Sequence, residues 1–337
     1  MILKYLTVSA LVLLMGCAGN PEPAADINPA DLIPVLYGTD RAQEDIRKLD
    51  KYYGTDRGYL EYGLAGVLTG GDKYRLGKIT PLSRDAFLGQ LDGELEAAGS
   101  SSVMVFIHGY NRSFSQVVRL VGEFATESGF EGVAVAWSWP SVRNPAGYVA
   151  DQNNMRWSGP NLEEFLQTLF DHPSVEKIHL VAHSMGGWGL TWLFVDRQFV
   201  QQVDLDRIGE FVLMAPDIDK EIFRREIGPE LVAAGLEISL YVSDNDRAMA
   251  SSKALNGHPR AGDSNGGPVV LPGMETIDVS DSNASILGHS YFEESESVSR
   301  DLIKLLNTGT PAAFRKDMNR VDLPYGNYWQ LQGDGQE

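Results

Sequence analysis

The chain has 337 residues, 43% of them hydrophobic, enough to fill a sizeable core, so disorder is excluded as its main state. Lys and Arg number 28 against 46 Asp and Glu; the resulting net charge of −18 repels phosphate backbones and anionic headgroups, and nucleic acid is not an expected partner. A single cysteine, Cys17, rules out an internal disulfide and any cysteine-rich zinc or iron–sulfur site.

In chain order, Lys4 precedes the apolar run Leu11-Val12-Leu13-Leu14-Met15, and Gly16-Cys17 follows. That is the layout of an export signal, with an apolar stretch too short to span a bilayer comfortably. The Pro/Ala-rich residues 18–26 can bury nothing and should act as a tether. Leu14-Met15-Gly16-Cys17 resembles the lipobox of bacterial lipoproteins, which implies cleavage before Cys17 and its modification by lipid. The expected organisation is a signal peptide over 1–16, a lipid-anchored tether over 17–31 and one domain over 32–337, held to a membrane of the cell envelope. The same resemblance, with Ala18 rather than Asp after the cysteine, implies the outer membrane in a two-membrane bacterium.

Short, β-rich, buried-looking runs recur at 33–37, 60–68, 103–107, 132–137, 177–182, 211–215, 236–242 and 275–279. Helical patterns lie between several of them: 115–121, 161–170 starting at Asn161 after Pro160, and 185–195 directly after a strand. Strands apolar along their length, alternating with helices, predict an α/β fold with a mostly parallel central sheet covered by helices on both faces. Residues 250–274 are rich in Gly and Pro, and are expected either to line a site or to form a mobile insertion.

The chemistry concentrates in Ala182-His183-Ser184-Met185-Gly186, between a buried strand and a helix pattern. A serine in such a turn takes a strained conformation that lifts its hydroxyl clear of the sheet, and it tolerates only small residues two before and two after, here Ala182 and Gly186. The common pattern is G-x-S-x-G; Ala182 replaces its first glycine, as in bacterial lipases written A-H-S-M-G. Ser184 is the candidate nucleophile and the Met185 amide, at the start of the helix, a candidate oxyanion donor. Upstream, an apolar strand runs into His108-Gly109-Tyr110-Asn111, where α/β-hydrolases place the second donor. That donor is the Tyr110 amide, with Asn111 as the fallback, and His108 is expected to hold the loop rather than carry protons.

Six histidines compete for the role of base. His183 points the wrong way along the turn, His179 alternates within its strand, and His172 precedes Pro173 in a connection. His258 lies in the Gly/Pro loop, whereas His289 follows the last strand-like run and fits the chain order Ser, acid, His. For the acid, Asp246 stands before a helix start after the penultimate strand, Asp244 is the runner-up, and Asp217 is expected to be a structural partner or turn cap. Trp137, Trp139, Tyr148, Trp157 and Trp188 could line an acyl pocket, though for each one ordinary packing is the simpler expectation.

Several segments together resemble the bacterial α/β-hydrolases of the domain of unknown function 900 family, often lipoproteins: Tyr37-Gly38-Thr39-Asp40-Arg41, Phe106-Ile107-His108-Gly109-Tyr110-Asn111, Trp139-Pro140-Ser141 and Ala182-His183-Ser184-Met185-Gly186-Gly187. Ala215-Pro216-Asp217-Ile218-Asp219, Ser243-Asp244-Asn245-Asp246-Arg247-Ala248 and Gly288-His289-Ser290-Tyr291-Phe292 extend the likeness over about 33–306. It implies the α/β-hydrolase fold and supports Ser184, Asp246 and His289 as a triad. The expectation is a serine esterase or lipase acting on a small-molecule or lipid ester, with no metal or organic cofactor, since H-E-x-x-H, P-loop and dinucleotide fingerprints are absent. Alternatives are amide or thioester hydrolysis by the same groups, or an inactive hydrolase scaffold serving as an envelope binding protein.

Overall fold

A computed structural model describes residues 31–69, 74–144, 146–245, 252, 256–282 and 295–333. The expected signal peptide and the tether up to residue 30, with Cys17, lie outside the described residues, as do Asp246 and His289.

Among the described residues, eleven strands form one sheet in the order β10-β11-β9-β8-β7-β6-β4-β5-β1-β2-β3, numbered along the chain. The centre is built from β4 (Ser102–Ile107), β5 (Val133–Ser138), β6 (Lys177–His183), β7 (Ile208–Met214), β8 (Ile238–Val242) and β9 (Met274–Asp278), all parallel. β1 (Leu32–Gln43) extends the parallel run beside β5, then pairs antiparallel with β2 (Tyr53–Thr69), which pairs with β3 (Tyr74–Leu82). At the other edge the hairpin β10 (Met318–Leu323) and β11 (Gly326–Leu331) joins through β9.

Side-chain alternation along the strands feeds two cores. In β4, Val103, Val105 and Ile107 face one, and Met104 and Phe106 face the other. The first is closed by α1 (Arg84–Ala98), α3 (Tyr148–Phe170) and α4 (Met185–Val195), the second by α2 (Phe114–Glu127) and α8 (Glu296–Thr308). Burial on both faces is why the central strands read as continuous apolar runs rather than alternating ones. Short helical pieces α5 (Arg197–Val200), α6 (Lys220–Ile222) and α7 (Gly228–Ala233) fill the connections.

The helix ends follow local chemistry. Ser113 and Gln116 form a reciprocal capping box at the start of α2, and Ser83 and Ser295 cap α1 and α8. Where sequence and structure differ, the cause is local. α3 begins at Tyr148, thirteen residues before Asn161, and carries Pro160 in its interior. Buried Met155 on one side of the proline and Leu162, Phe165 and Leu166 on the other anchor both halves, which outweighs a penalty of about 3 kcal/mol for an internal proline. The hairpin β10–β11 was not predicted because its residues are half exposed and polar, with no apolar run.

A buried polar knot ties the second core together. Arg315 donates to Asp301 of α8 (2.8 Å), to the Tyr241 hydroxyl of β8 (3.1 Å) and to Glu275 of β9 (3.0 Å), and Tyr241 donates to Asp301 (2.6 Å). Replacing Arg315 by Met leaves Asp301 buried without its counter-charge. Urea denaturation of this variant should show a loss of about 3–5 kcal/mol; a loss under about 1 kcal/mol would show that the knot does not hold α8 to the sheet.

Candidate active site

β6 ends at His183 and α4 begins at Met185, so Ser184 alone makes the turn. Its backbone sits at φ 51°, ψ −121°, a conformation that costs a non-glycine residue about 1–3 kcal/mol and persists only where the surroundings enforce it. Here three backbone bonds enforce it: the Ser184 amide donates to the Met214 carbonyl (2.9 Å), and the Ser184 carbonyl accepts from Gly187 (3.0 Å) and Asp217 (3.1 Å). The turn is also tight against β4. A Cβ on Gly186 would lie 2.5 Å from the His108 carbonyl oxygen and 2.6 Å from that of Ile107, and one on Gly109 would lie 2.8 Å from Ser184 Cβ. The His108–Tyr110 loop and Ser184 are therefore in direct apposition. Met185 is the first residue of α4, and its amide belongs to the first turn, whose donors have no intrahelical acceptor.

The loop after β4 is braced from behind. His108 is buried and stacks on Trp139 at 4.8 Å between ring centres. Its Nδ1–H donates to the Gly109 carbonyl (2.7 Å), while Nε2 accepts from the Trp139 amide (3.1 Å). Burial, reinforced by Arg41, holds His108 well below the ordinary imidazole range, so it is a neutral brace, as its sequence position predicted. Arg41, fully enclosed in β1, donates to the Arg112 carbonyl (2.8 Å), the Gly54 carbonyl (3.0 Å) and the Ser138 hydroxyl (2.8 Å), with Nη2 3.3 Å from His108 Nε2. Asp151 of α3 accepts from the Val142 amide (2.7 Å), the Ser141 hydroxyl (2.5 Å) and, more loosely, the Asn111 amide (3.4 Å). Asn111, at φ 60°, thus turns its amide toward Asp151.

On the other side, Asp217 is enclosed by Arg260 Nε (2.7 Å), the Tyr148 hydroxyl (2.8 Å) and the Ser252 hydroxyl (2.5 Å), while Arg260 also donates to the Asp217 carbonyl (2.7 Å). Asp217 is a structural partner, as expected: it pins the Gly/Pro-rich segment to the sheet. The described part of that segment is no loose insertion, for Ala261 donates to Ile218 (2.7 Å), Gly262 to Pro216 (3.0 Å) and Ser243 to Gly262 (3.1 Å).

Among the histidines, His172 bonds Asp92 (2.7 Å), and His179 accepts from the Glu210 amide (3.0 Å) at the amino ends of the strands, opposite Ser184. His183 is buried and held well below the ordinary range by burial and then by Arg112. His258 is exposed, and Asp244 is exposed just after β8. The structure thus brings together Ser184, Met185 and Tyr110, whereas Asp246 and His289 fall outside the described residues. Trp137 and Trp139 are fully enclosed and Tyr148 is committed to Asp217, so these three are packing and bracing groups. Sequence reasoning gave no role to Arg41, Asp151 or Arg260; the charged pair Asp40-Arg41, directly after the apolar run of β1, was the available signal for Arg41.

Residues 83–306, more than half of the chain, match the family described as alpha/beta hydrolase of unknown function (DUF900). No curated protein matches. Among solved structures, a predicted CIB-like hydrolase from Thermoplasma acidophilum is similar at 12% identity, over 73% of this chain and 93% of its own, with a TM-score of 0.37. Carboxylesterase CesB from Bacillus subtilis is similar at 11% identity over 74% and 89%, TM-score 0.38, and Aspergillus fumigatus lipase B at 13% over 63% and 53%, TM-score 0.38. The fold is that of the α/β-hydrolases.

Two adjacent glycines test the apposition. Gly186→Ala drives a methyl into two backbone carbonyls that cannot yield, whereas the same change at Gly187 meets Pro216 Cβ at 3.2 Å and, at ordinary contact distance, Leu213 Cδ2 at 3.5 Å and Pro216 Cα at 3.7 Å. Urea denaturation should show a loss of about 1–3 kcal/mol or more for Gly186→Ala and a smaller one for Gly187→Ala. The reverse order would contradict the close contact of β4 with the elbow.

Proposed function

We propose that this chain, which belongs to the DUF900 family of alpha/beta hydrolases, is a serine hydrolase that cleaves carboxylic esters through an acyl-enzyme. One observation carries the reading: a serine held at φ 51° between a parallel strand and a helix, against the glycine of a His-Gly loop. Strain of this kind has no packing purpose, since Ser184 stabilises neither core; it serves to present a hydroxyl beside amide donors.

In the proposed reaction, His289 accepts the proton of Ser184 Oγ as that oxygen attacks the ester carbonyl. The negative oxygen of the tetrahedral intermediate accepts hydrogen bonds from the Met185 and Tyr110 amides. Collapse expels the alcohol, which takes the proton from His289, and leaves an ester on Ser184; water then repeats the sequence to release the acid. Asp246 holds the imidazole tautomer and stabilises its cation. The rigid mounting supports these roles, because Arg41, His108 and Asp151 fix the loop that carries Tyr110. The substrate is a small-molecule or lipid ester. We place the enzyme in the cell envelope, anchored through a lipid on Cys17.

A fluorophosphonate probe, which reacts only with an activated serine, tests the reading. The wild-type chain should label on Ser184 and Ser184→Ala should not. His289→Ala and Asp246→Ala should hydrolyse p-nitrophenyl esters about 10³–10⁴-fold more slowly, while Asp217→Asn should lower stability and leave the rate per folded molecule within a few-fold. Absence of labelling in the wild type, or equal labelling of Ser184→Ala, would overturn the proposal.

A further inference from the structure

At the end of the sheet opposite Ser184 lies a cleft of about 440 Å³, lined in part by His179, Glu210, Leu236, Glu237 and Leu306. Lys177–His183 spans the sheet from this edge to the elbow, so roughly 20 Å separates the cleft from Ser184 at ~3.3 Å per residue. The hydrolase reading makes no use of it.

Its chemistry is uneven. Glu210 is the one charged residue of β7, Ile208-Gly209-Glu210-Phe211-Val212-Leu213-Met214, and it is 4% exposed. Among the described residues its carboxylate has neither a hydrogen-bond donor nor an ion pair. One oxygen lies 3.4 Å from where a Cβ on Gly309 would be, which puts the carboxylate against the C-terminal cap of α8. Gly309 also lines the cleft, so the carboxylate looks into it beside a helix end that carries partial negative charge. Burial of a charge without a partner is expensive, and here both the carboxylate and the helix end favour a cation. Two basic residues line the cleft: Lys177, exposed on the rim, acts on the carboxylate only at a distance and forms no ion pair with it among the described residues, and His179 does not supply a cation. Its Nδ1 accepts the Glu210 amide (3.0 Å), leaving Nε2–H for the Ser102 hydroxyl (3.3 Å), and burial pulls its imidazole down to about 4. Nor do the described residues offer three His, Cys, Asp or Glu side chains grouped for a metal ion. Leu205, Leu236 and Leu306 line the same cleft and suit an aliphatic stem.

We propose that this cleft binds a small organic cation, an alkylammonium or alkylguanidinium, whose charged head pairs with the Glu210 carboxylate and whose stem lies along Leu205, Leu236 and Leu306. A cleft of this size holds a molecule of that class. Burial lifts the Glu210 carboxyl to about 7, with Glu237 and Glu275 raising it further and Arg315 and Lys177 opposing. Pairing with a cation draws it back toward its ionised form, so affinity should rise from pH 6 to pH 8.

The test is calorimetric titration of the full chain at pH 8 with agmatine and with 1,5-diaminopentane, using n-pentanol as the uncharged control and magnesium chloride as the metal probe. At least one amine should bind once per chain with a Kd below about 1 mM, and pentanol should not bind. Glu210→Gln should weaken the amine at least about tenfold while still labelling with fluorophosphonate as the wild type does. Glu237→Lys, an exposed change on the rim that leaves the buried carboxylate in place, should weaken it in the same direction. The proposal is overturned if neither amine binds saturably, if Glu210→Gln and Glu237→Lys both bind as the wild type does, if pentanol competes equally, or if magnesium binds there and the amines do not.

Discussion

Everything at the candidate site depends on how closely the carboxyl ends of β4 and β6 approach each other. The end of β4 leaves no room for a methyl at Gly186, the turn at His183 and Ser184 leaves none at Gly109, and this mutual contact surrounds a Ser184 held in a conformation serine would otherwise avoid. Three backbone hydrogen bonds, to the end of β7, to the residue Asp217 beyond it and within the first turn of α4, lock the turn. The strain is thus carried by the sheet, the most buried part of the molecule, and the turn stays rigid without any contribution from a substrate. A preorganised turn matters for acyl transfer because donors that need not move to meet a developing oxyanion lose no energy in reorganisation.

Around that contact the protein invests polar groups where a core would ordinarily hold hydrocarbon. Arg41 reaches from β1 to gather carbonyls of the loops after β4 and β5, His108 is frozen neutral between Gly109 and Trp139, and Asp151 collects amides from two loops. Asp217 and Arg260 do the same on the far side and join the Gly/Pro-rich segment to the end of β7. Each such group is costly to bury alone and inexpensive once bonded on every side, so the set folds as a unit. Its effect is to convert loops, normally the mobile parts of an α/β protein, into extensions of the sheet.

The parallel core was legible in the sequence because its strands are buried on both faces and read as short apolar runs, and α4 was legible because it starts abruptly at the end of one. The elbow itself was legible through Ala182 and Gly186. Edge elements were not: β10 and β11 present mixed, half-exposed residues, and α1 keeps only Phe87, Leu91 and Leu95 buried among polar neighbours. Pro160 misled because a proline at the first turn of a helix and one tolerated inside it look alike until the packing of both halves is known. The bracing role of Arg41 was beyond a one-dimensional reading, since its partners lie between 13 and 100 positions away along the chain. The same holds for Glu210, which is a lone charge in a strand until the end of α8 is brought over it.

The most direct test of the preformed elbow is a crystal structure of the chain after reaction with an alkyl phosphonate. The adduct should sit on Ser184 with the serine backbone still at positive φ, the phosphonyl oxygen about 2.7–3.1 Å from the Met185 and Tyr110 amides, and the His289 imidazole within hydrogen-bond reach of Ser184 Oγ. An adduct on another residue, or a His289 ring on the far side of the molecule, would contradict the reading.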